Sequence, residues 1–230
     1  MKKRWYCIPA VLALVCLVLA GVVRVSYQNA GESIYNYGFE TGNTFDVVFQ
    51  EFSVTDVNQM PDKLIENSDI IIRAKYSGNR FVTGEGFYSP VTVEEVYKGD
   101  SEFNGKQLYI LEAVDTYTYT RYVNTISKAY LPLQKNSEYV LLLKKVQFDP
   151  ERKLTDFENS QYYPITQTAA GAYRLSNQEQ TKVFSWAKNP ESMNSLAGYD
   201  IPVEDKKQLD IYYQLKSGVL GELGIPLTSS

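Results

Sequence analysis

Asp69-Ile70-Ile71-Ile72-Arg73-Ala74-Lys75-Tyr76 places Ile70, Ile72, Ala74 and Tyr76 on one side of an extended strand and Asp69, Arg73 and Lys75 on the other. Such a strand has one buried face. Tyr139-Val140-Leu141-Leu142-Leu143 has no alternation at all and reads as a strand covered on both faces. Between these two runs, Val91 and Val93 share a side, Glu94-Glu95 interrupts the period before Val96, and a β-bulge there would restore the register. Gly99-Asp100 marks a turn, Leu108-Tyr109-Ile110-Leu111 a mostly buried strand, and the β-branched and aromatic run from Thr116 to Tyr122 a strand or hairpin arm.

Working outward, Val47-Val48-Phe49 with Phe52 suggests a short strand, and Asn58 to Asn67, with Pro61 early, a short helix. On the other side, residues 161–165 and 171–175 read as two short strands or one interrupted strand. Ser176 and Glu179 have capping-box spacing and open a predicted helix, with Val183, Phe184 and Ala187 on its apolar face and a stop at Asn189-Pro190. A last helix is predicted from Val203 to Ser217, with Glu204-Asp205 in its first turn, Leu209, Tyr212 and Tyr213 on one face, and Lys216 before Gly218 at its end. Leu209 and Tyr212 are read as core.

The N-terminus carries a different pattern. Trp5 to Val23 holds no charge, follows Lys2-Lys3-Arg4 and is closed by Arg24, so residues 1–25 are expected to form a transmembrane signal-anchor. At 1.5 Å per residue, a helix of ~20 residues crosses the ~30 Å hydrocarbon core. The basic cluster keeps the N-terminus cytoplasmic and places everything after Arg24 outside the cell membrane, single-pass. The alternative is secretion after cleavage following Ala20. Residues 26–44 show scattered aromatics without a period and read as a stalk.

Composition narrows the chemistry. The chain has no histidine, and both cysteines, Cys7 and Cys16, lie in the apolar run, so the exported part contains neither imidazole nor thiol. It is long enough to bury a core without disulfides, since domains of this size hide roughly 70% of their unfolded surface. Lys2, Lys3, Arg4 and Arg24 are the only charges in the first 31 residues, which leaves 19 basic against 27 acidic residues beyond them, a net charge of −8. That surface repels phosphate, so no nucleic acid is expected as a partner; its simplest role is solubility. Histidine-relayed serine chemistry and thiolate chemistry are closed. Ser185-Trp186-Ala187-Lys188, Ser192-Met193-Asn194 and Lys216-Ser217-Gly218 match the three short motifs of penicillin-recognising serine enzymes in order, but Lys188 and Ser192 are far too close together for that architecture. Carboxylates remain, and a cell-wall glycoside hydrolase would need Glu94 or Glu95 facing Glu112 or Asp115 at ~5–9.5 Å. There is no Asp-x-Asp-x-Asp calcium loop, and no metal or cofactor is expected.

Ser68 to Lys75, then Val93-Glu94-Glu95-Val96-Tyr97-Lys98-Gly99, then Glu138 to Leu143 resembles the opening strands and fourth strand of the netrin-like module, the OB-type barrel of tissue inhibitors of metalloproteinases. A similar succession occurs in surface proteins of Gram-positive bacteria. The resemblance covers about residues 68–146. It implies a five-stranded OB-like barrel and an interaction role. It carries no site, because the zinc-chelating N-terminal cysteine of those inhibitors has no counterpart here. The expected fold is therefore mainly β (α+β), with an OB-like barrel over residues 45–175 and a C-terminal helical extension of the same domain, residues 176–230, packed on it.

The 19 tyrosines supply the remaining signal. Tyr117, Tyr119 and Arg121 fall on one strand face at a period of two, which suits a contact patch for a protein or a cell-wall glycan. The alternative is that Tyr117 and Tyr119 pair across strands and cover the barrel. The sequence therefore points to a non-catalytic, membrane-anchored binding module, with a carboxylate hydrolase and a structural subunit of a membrane assembly as its alternatives.

Overall fold

A computed structural model describes residues 13–24, 60–76, 78–83, 86–112, 115–117, 122–125, 130–165, 169–176, 178–184 and 196–226. Strand β1 (Ile70–Tyr76) pairs antiparallel with β3 (Gly86–Lys98) on one edge and with β7 (Ser137–Lys145) on the other. β3 pairs with β4 (Gln107–Glu112), β4 runs parallel to β8 (Gln161–Pro164), and β8 returns antiparallel to β7. The circuit β1-β3-β4-β8-β7-β1 is a closed five-stranded mixed barrel. Short β2 (Phe81–Thr83) extends β3 as a hairpin, and β9 (Ala172–Leu175) continues along β7 beyond β8. β8 and β9 are thus one strand interrupted at Ala169–Gly171, where a Cβ on Gly171 would stand 2.8 Å from Pro164 Cβ.

The inward face read from β1 holds, but the strand does not have a single buried face, because Ile71 on the other side is buried as well. Ile70, Ile72, Ala74 and Tyr76 line the barrel interior with Val91, Val93, Leu108, Ile110, Tyr139, Leu141 and Leu143. The other parity of β7, Val140 and Leu142, joins Ile71 in a second core outside the barrel, covered by the helices α2 (Met60–Asn67) and α4 (Lys206–Glu222). This is why β7 is uninterruptedly apolar from Tyr139 to Leu143: each fully buried side chain of this kind contributes roughly 1.5–3 kcal/mol, and β7 buries them on both faces. The bulge also holds, since Arg73 pairs with Glu95 and Ala74 with Val93, leaving Glu94 unopposed. Lys98 Nζ donates to Ile65 O at 2.8 Å and Glu66 O at 2.7 Å, so a cation meets the negative end of α2.

Two helical expectations change. Residues 178–184 form no helix, and 185–190 lie outside the described residues. Ser176 Oγ donates to Gln178 O instead of capping a helix. The Gln180 side chain accepts from the amides of Asp200 (2.9 Å) and Ile201 (3.2 Å) and donates to Ile201 O (2.9 Å), so tertiary bonds displace the local turn. The capping box occurs instead at Thr155 and Glu158, where it opens the one-turn helix α3 (Asp156–Asn159). The last helix begins later than expected, with Asp205 as its N-cap accepting from Gln208 N at 2.8 Å, and runs on to Glu222. Gly218 does not stop it. A Cβ there would lie 2.7 Å from Pro61 Cγ, so Gly218 is small because α2 crosses α4 at that point.

Residues 13–24 form a helix, α1, with every side chain exposed. Among the described residues no helix is long and apolar enough to cross a membrane. The rest of the expected span, residues 5–12, lies outside the described residues, as do the predicted stalk and the strand at Val47 to Phe52. Finally, β5 (Asp115–Tyr117) and β6 (Tyr122–Thr125) form a two-stranded sheet of their own between β4 and β7.

Candidate functional site

The β5–β6 arm leaves the barrel after Glu112 and returns at Tyr130. Glu112 continues the inward parity of Leu108 and Ile110, so its carboxylate points into the barrel, where the residue is 3% exposed. Tyr130 to Leu133 is a buried strap without regular structure, and its backbone polar groups need partners that no ladder supplies. Glu112 and Arg80 supply two such partners at Leu133: Leu133 N donates to Glu112 Oε2 at 2.7 Å, and Leu133 O accepts from Arg80 Nη2 at 2.6 Å. The two side chains also pair with each other at 2.7 Å, with 1% and 0% of their side-chain surfaces exposed. Ser89 Oγ donates to the same carboxylate, and Tyr130 Oη does so at 3.1 Å. Arg80 enters the barrel because Gly78 (φ 111°) and Asn79 (φ 69°) turn the chain through the left-handed region, which glycine and asparagine tolerate. Its guanidinium lies 5.0 Å from the Tyr76 ring centre. Burial raises the Tyr130 phenol well above its usual pKa and the Glu112 charge adds to this, against the opposing pull of Arg80.

The next residue joins this centre to a second one. Gln134 N donates to Tyr139 Oη at 2.7 Å, while its side-chain carbonyl accepts from Gly198 N at 2.7 Å and from Arg174 Nη1 at 3.3 Å. Asp200, with 0% of its side chain exposed, pairs with Arg174 Nε at 2.9 Å and Lys216 Nζ at 3.0 Å, and accepts from Tyr213 Oη at 3.1 Å. A cleft beside it, lined by Tyr130, Gln134, Tyr139, Arg174 and Tyr199 among others, encloses about 280 Å³ including open solvent. Its interior has room for little more than one water molecule.

The sequence-derived residues fall as follows. Tyr117 ends β5 opposite Tyr122, so it has a cross-strand tyrosine partner. Tyr119 and Arg121, and the side chains of the whole arm, lie outside the described residues. Of the carboxylates, Glu112 is buried and ion-paired with Arg80, and Asp115 opens β5 with its side chain outside the described residues. Glu94 and Glu95 instead sit beside Arg73, at 3.4 and 3.8 Å. Glu112 is in register with Phe87 of β3, seven residues from Glu94, a strand path of about 23 Å. Tyr97 Oη donates to Glu95 Oε2 at 2.9 Å; burial, and then this bond, push the phenol up to about 12. Lys216 of the short serine-enzyme motif is inside α4 on Asp200, while the Ser185 and Ser192 motifs lie outside the described residues. Among the described residues, no group of three or more acidic or cysteine side chains is placed to hold a metal.

Sequence reasoning missed Arg80 and Asp200. For the first, a signal existed: an acid at an inward position of an otherwise apolar strand demands a buried cation. No protein-family model matches the chain, and no curated protein matches it.

Proposed function

We propose that this protein is a membrane-anchored extracytoplasmic binding module that acts without turnover. Its anchor is the run from Trp5 to Val23, and its contact surface is the tyrosine-bearing arm with Tyr117, Tyr119 and Arg121. One contrast carries the anchoring. In α1 the side chains of Leu14, Leu17 and Val18 are 60–71% exposed, whereas the most exposed large hydrophobic described elsewhere is Val183 at 38%. Because the other large apolar side chains described are far better covered, this helix is left for a lipid environment to cover. The strand order, with a parallel pair between β4 and β8 and antiparallel pairs around the rest of the described circuit, supports an OB-type barrel and through it the netrin-like resemblance. The partner is an exported protein or a cell-wall glycan; tethering raises its local concentration at the arm.

Fractionation of cells expressing the full chain tests the anchor. The wild-type chain should stay in the membrane pellet through an alkaline wash and be digested by protease added outside intact cells, and a Leu14→Lys/Leu17→Lys/Val18→Lys variant should leave the pellet. Recovery of wild-type chain in the soluble fraction, or protection from external protease, refutes the anchored topology. A mature chain beginning at Gly21 would replace it with secretion. Hydrolysis of cell-wall glycan by purified protein, abolished by replacing Glu94 or Glu95, would overturn the non-catalytic reading.

A further inference from the structure

Tyr139 reaches the strap from inside the barrel, is 5% exposed, and accepts at its Oη from Gln134 N at 2.7 Å. A phenol also donates, and among the described residues the Tyr139 proton has no acceptor. The same phenol lines the cleft beside Asp200, whose interior takes little more than one water molecule. Two other groups on the cleft wall have acceptor capacity to spare. An ionised carboxylate has about four acceptor positions. Among the described residues Asp200 Oδ1 receives Arg174 Nε alone, whereas Oδ2 receives both Lys216 Nζ and Tyr213 Oη. Tyr130 Oη gives its proton to Glu112 Oε2 and keeps its lone pairs. The remaining polar groups of the wall are engaged: the Gln134 carbonyl accepts from Gly198 N and Arg174 Nη1, and Arg174 Nη2 donates to Gly198 O.

We propose that the cleft is a binding site for one internal water molecule, which accepts from Tyr139 Oη and donates to Asp200 Oδ1 and Tyr130 Oη. One donor in need of an acceptor and two acceptors with room are the complement of a water, which accepts and donates at once. An ammonium ion has no lone pair for the Tyr139 proton, and a halide has no proton for Asp200. Three hydrogen bonds are also what a buried water commonly makes. The water ties the barrel, through Tyr139, and the strap, through Tyr130, to the Asp200 centre beneath α4.

A crystal structure of the full chain in detergent should place one water within about 2.5–3.0 Å of both Tyr139 Oη and Asp200 Oδ1. Absence of density there, or a direct bond from Tyr139 Oη to a protein acceptor, overturns the site. Urea denaturation reads its energy through a double-mutant cycle of Ala172→Val, which fills the cleft from its wall, and Tyr139→Phe, which removes the donor. In the wild-type chain Ala172→Val should lower the folded-to-unfolded ratio about tenfold, because expelling the water strands a buried proton. In the Tyr139→Phe chain, where no such proton remains, the same substitution should change the ratio by less than about threefold. Equal losses in both backgrounds would assign the effect to crowding and overturn the proposal, as would an Ala172→Val chain more stable than wild type, which marks a cleft that excludes water. The crystallographic result decides whether or not Tyr139→Phe folds.

Discussion

Replacing Glu112 and Arg80 together tests what the buried ion pair is for. Glu112→Gln keeps the shape of the side chain but leaves a guanidinium with 1% of its surface exposed facing a neutral amide. Breaking a buried pair from one side costs about 3–5 kcal/mol, because the remaining charge is uncompensated. If the pair mattered only as a pair, the double change Arg80→Met/Glu112→Leu would be close to neutral, as apolar replacements of buried ion pairs often are. The geometry argues otherwise. Leu133 N and Leu133 O are held at 2.7 and 2.6 Å by these two side chains, and the strap offers them no ladder. Each buried backbone group left without a partner costs about 1–3 kcal/mol, so the double variant should remain about 2–6 kcal/mol less stable than wild type. Urea denaturation followed by far-ultraviolet circular dichroism, with the slope held constant, measures both. A double variant within about 0.5 kcal/mol of wild type would refute the role given to the strap, on the scale of ordinary surface substitutions.

Gly218→Ala should destabilise by about 1–3 kcal/mol despite a helix-propensity gain of about 1 kcal/mol, because the new Cβ would meet the rigid ring of Pro61 at 2.7 Å; thermal melts of the variant measure it. At Asp200, removal of the carboxylate by Asp200→Ala strands Arg174 and Lys216 together, whereas Lys216→Met leaves Asp200 paired with Arg174, so the first should cost more in urea denaturation than the second. Burial raises the Asp69 pKa, but the Lys144 ammonium and the Lys145 amide outweigh it and leave the group below its ordinary 3.8. Its contribution is therefore complete at neutral pH and is lost as pH falls through the lowered folded value. Asp69→Asn should flatten the acid limb of a stability–pH curve and leave its slope near pH 7 unchanged, which denaturation across an acid pH series checks.

Legibility followed how locally each feature is encoded. The faces of β1, the two-sided burial of β7 and the bulge at Glu94 could be read because strand period is a property of a few adjacent residues. The helix expected after Ser176 failed because its capping signature competed with Gln180, whose bonds to Asp200 and Ile201 come from twenty or more positions away. The same signature at Thr155 to Glu158 succeeded, since the helix there is a single turn that the box itself largely completes. Gly218 was read as a stop because a glycine that ends a helix and one that admits a neighbouring helix look alike until Pro61 is placed beside it. Arg80 and Asp200 act through partners 32 and 16 residues away, at distances where no sequence period operates.

These same long-range bonds connect the body of the protein to its arm. Glu112 ends β4 and Tyr130 begins the strap, so the two points where the arm joins the barrel are held to one carboxylate. Gln134, the next residue after the strap's anchored Leu133, carries the connection onward to Gly198 and Arg174, and Arg174 to Asp200 beneath α4. A two-stranded sheet is marginal on its own in water, and a buried ion pair that fixes backbone groups at its base comes at the cost of desolvating two charges. Apolar side chains at these positions would fill the same space but could not hold Leu133 N and Leu133 O. An interaction role for the arm, as proposed, would draw on that fixed base as much as on the tyrosines beyond it.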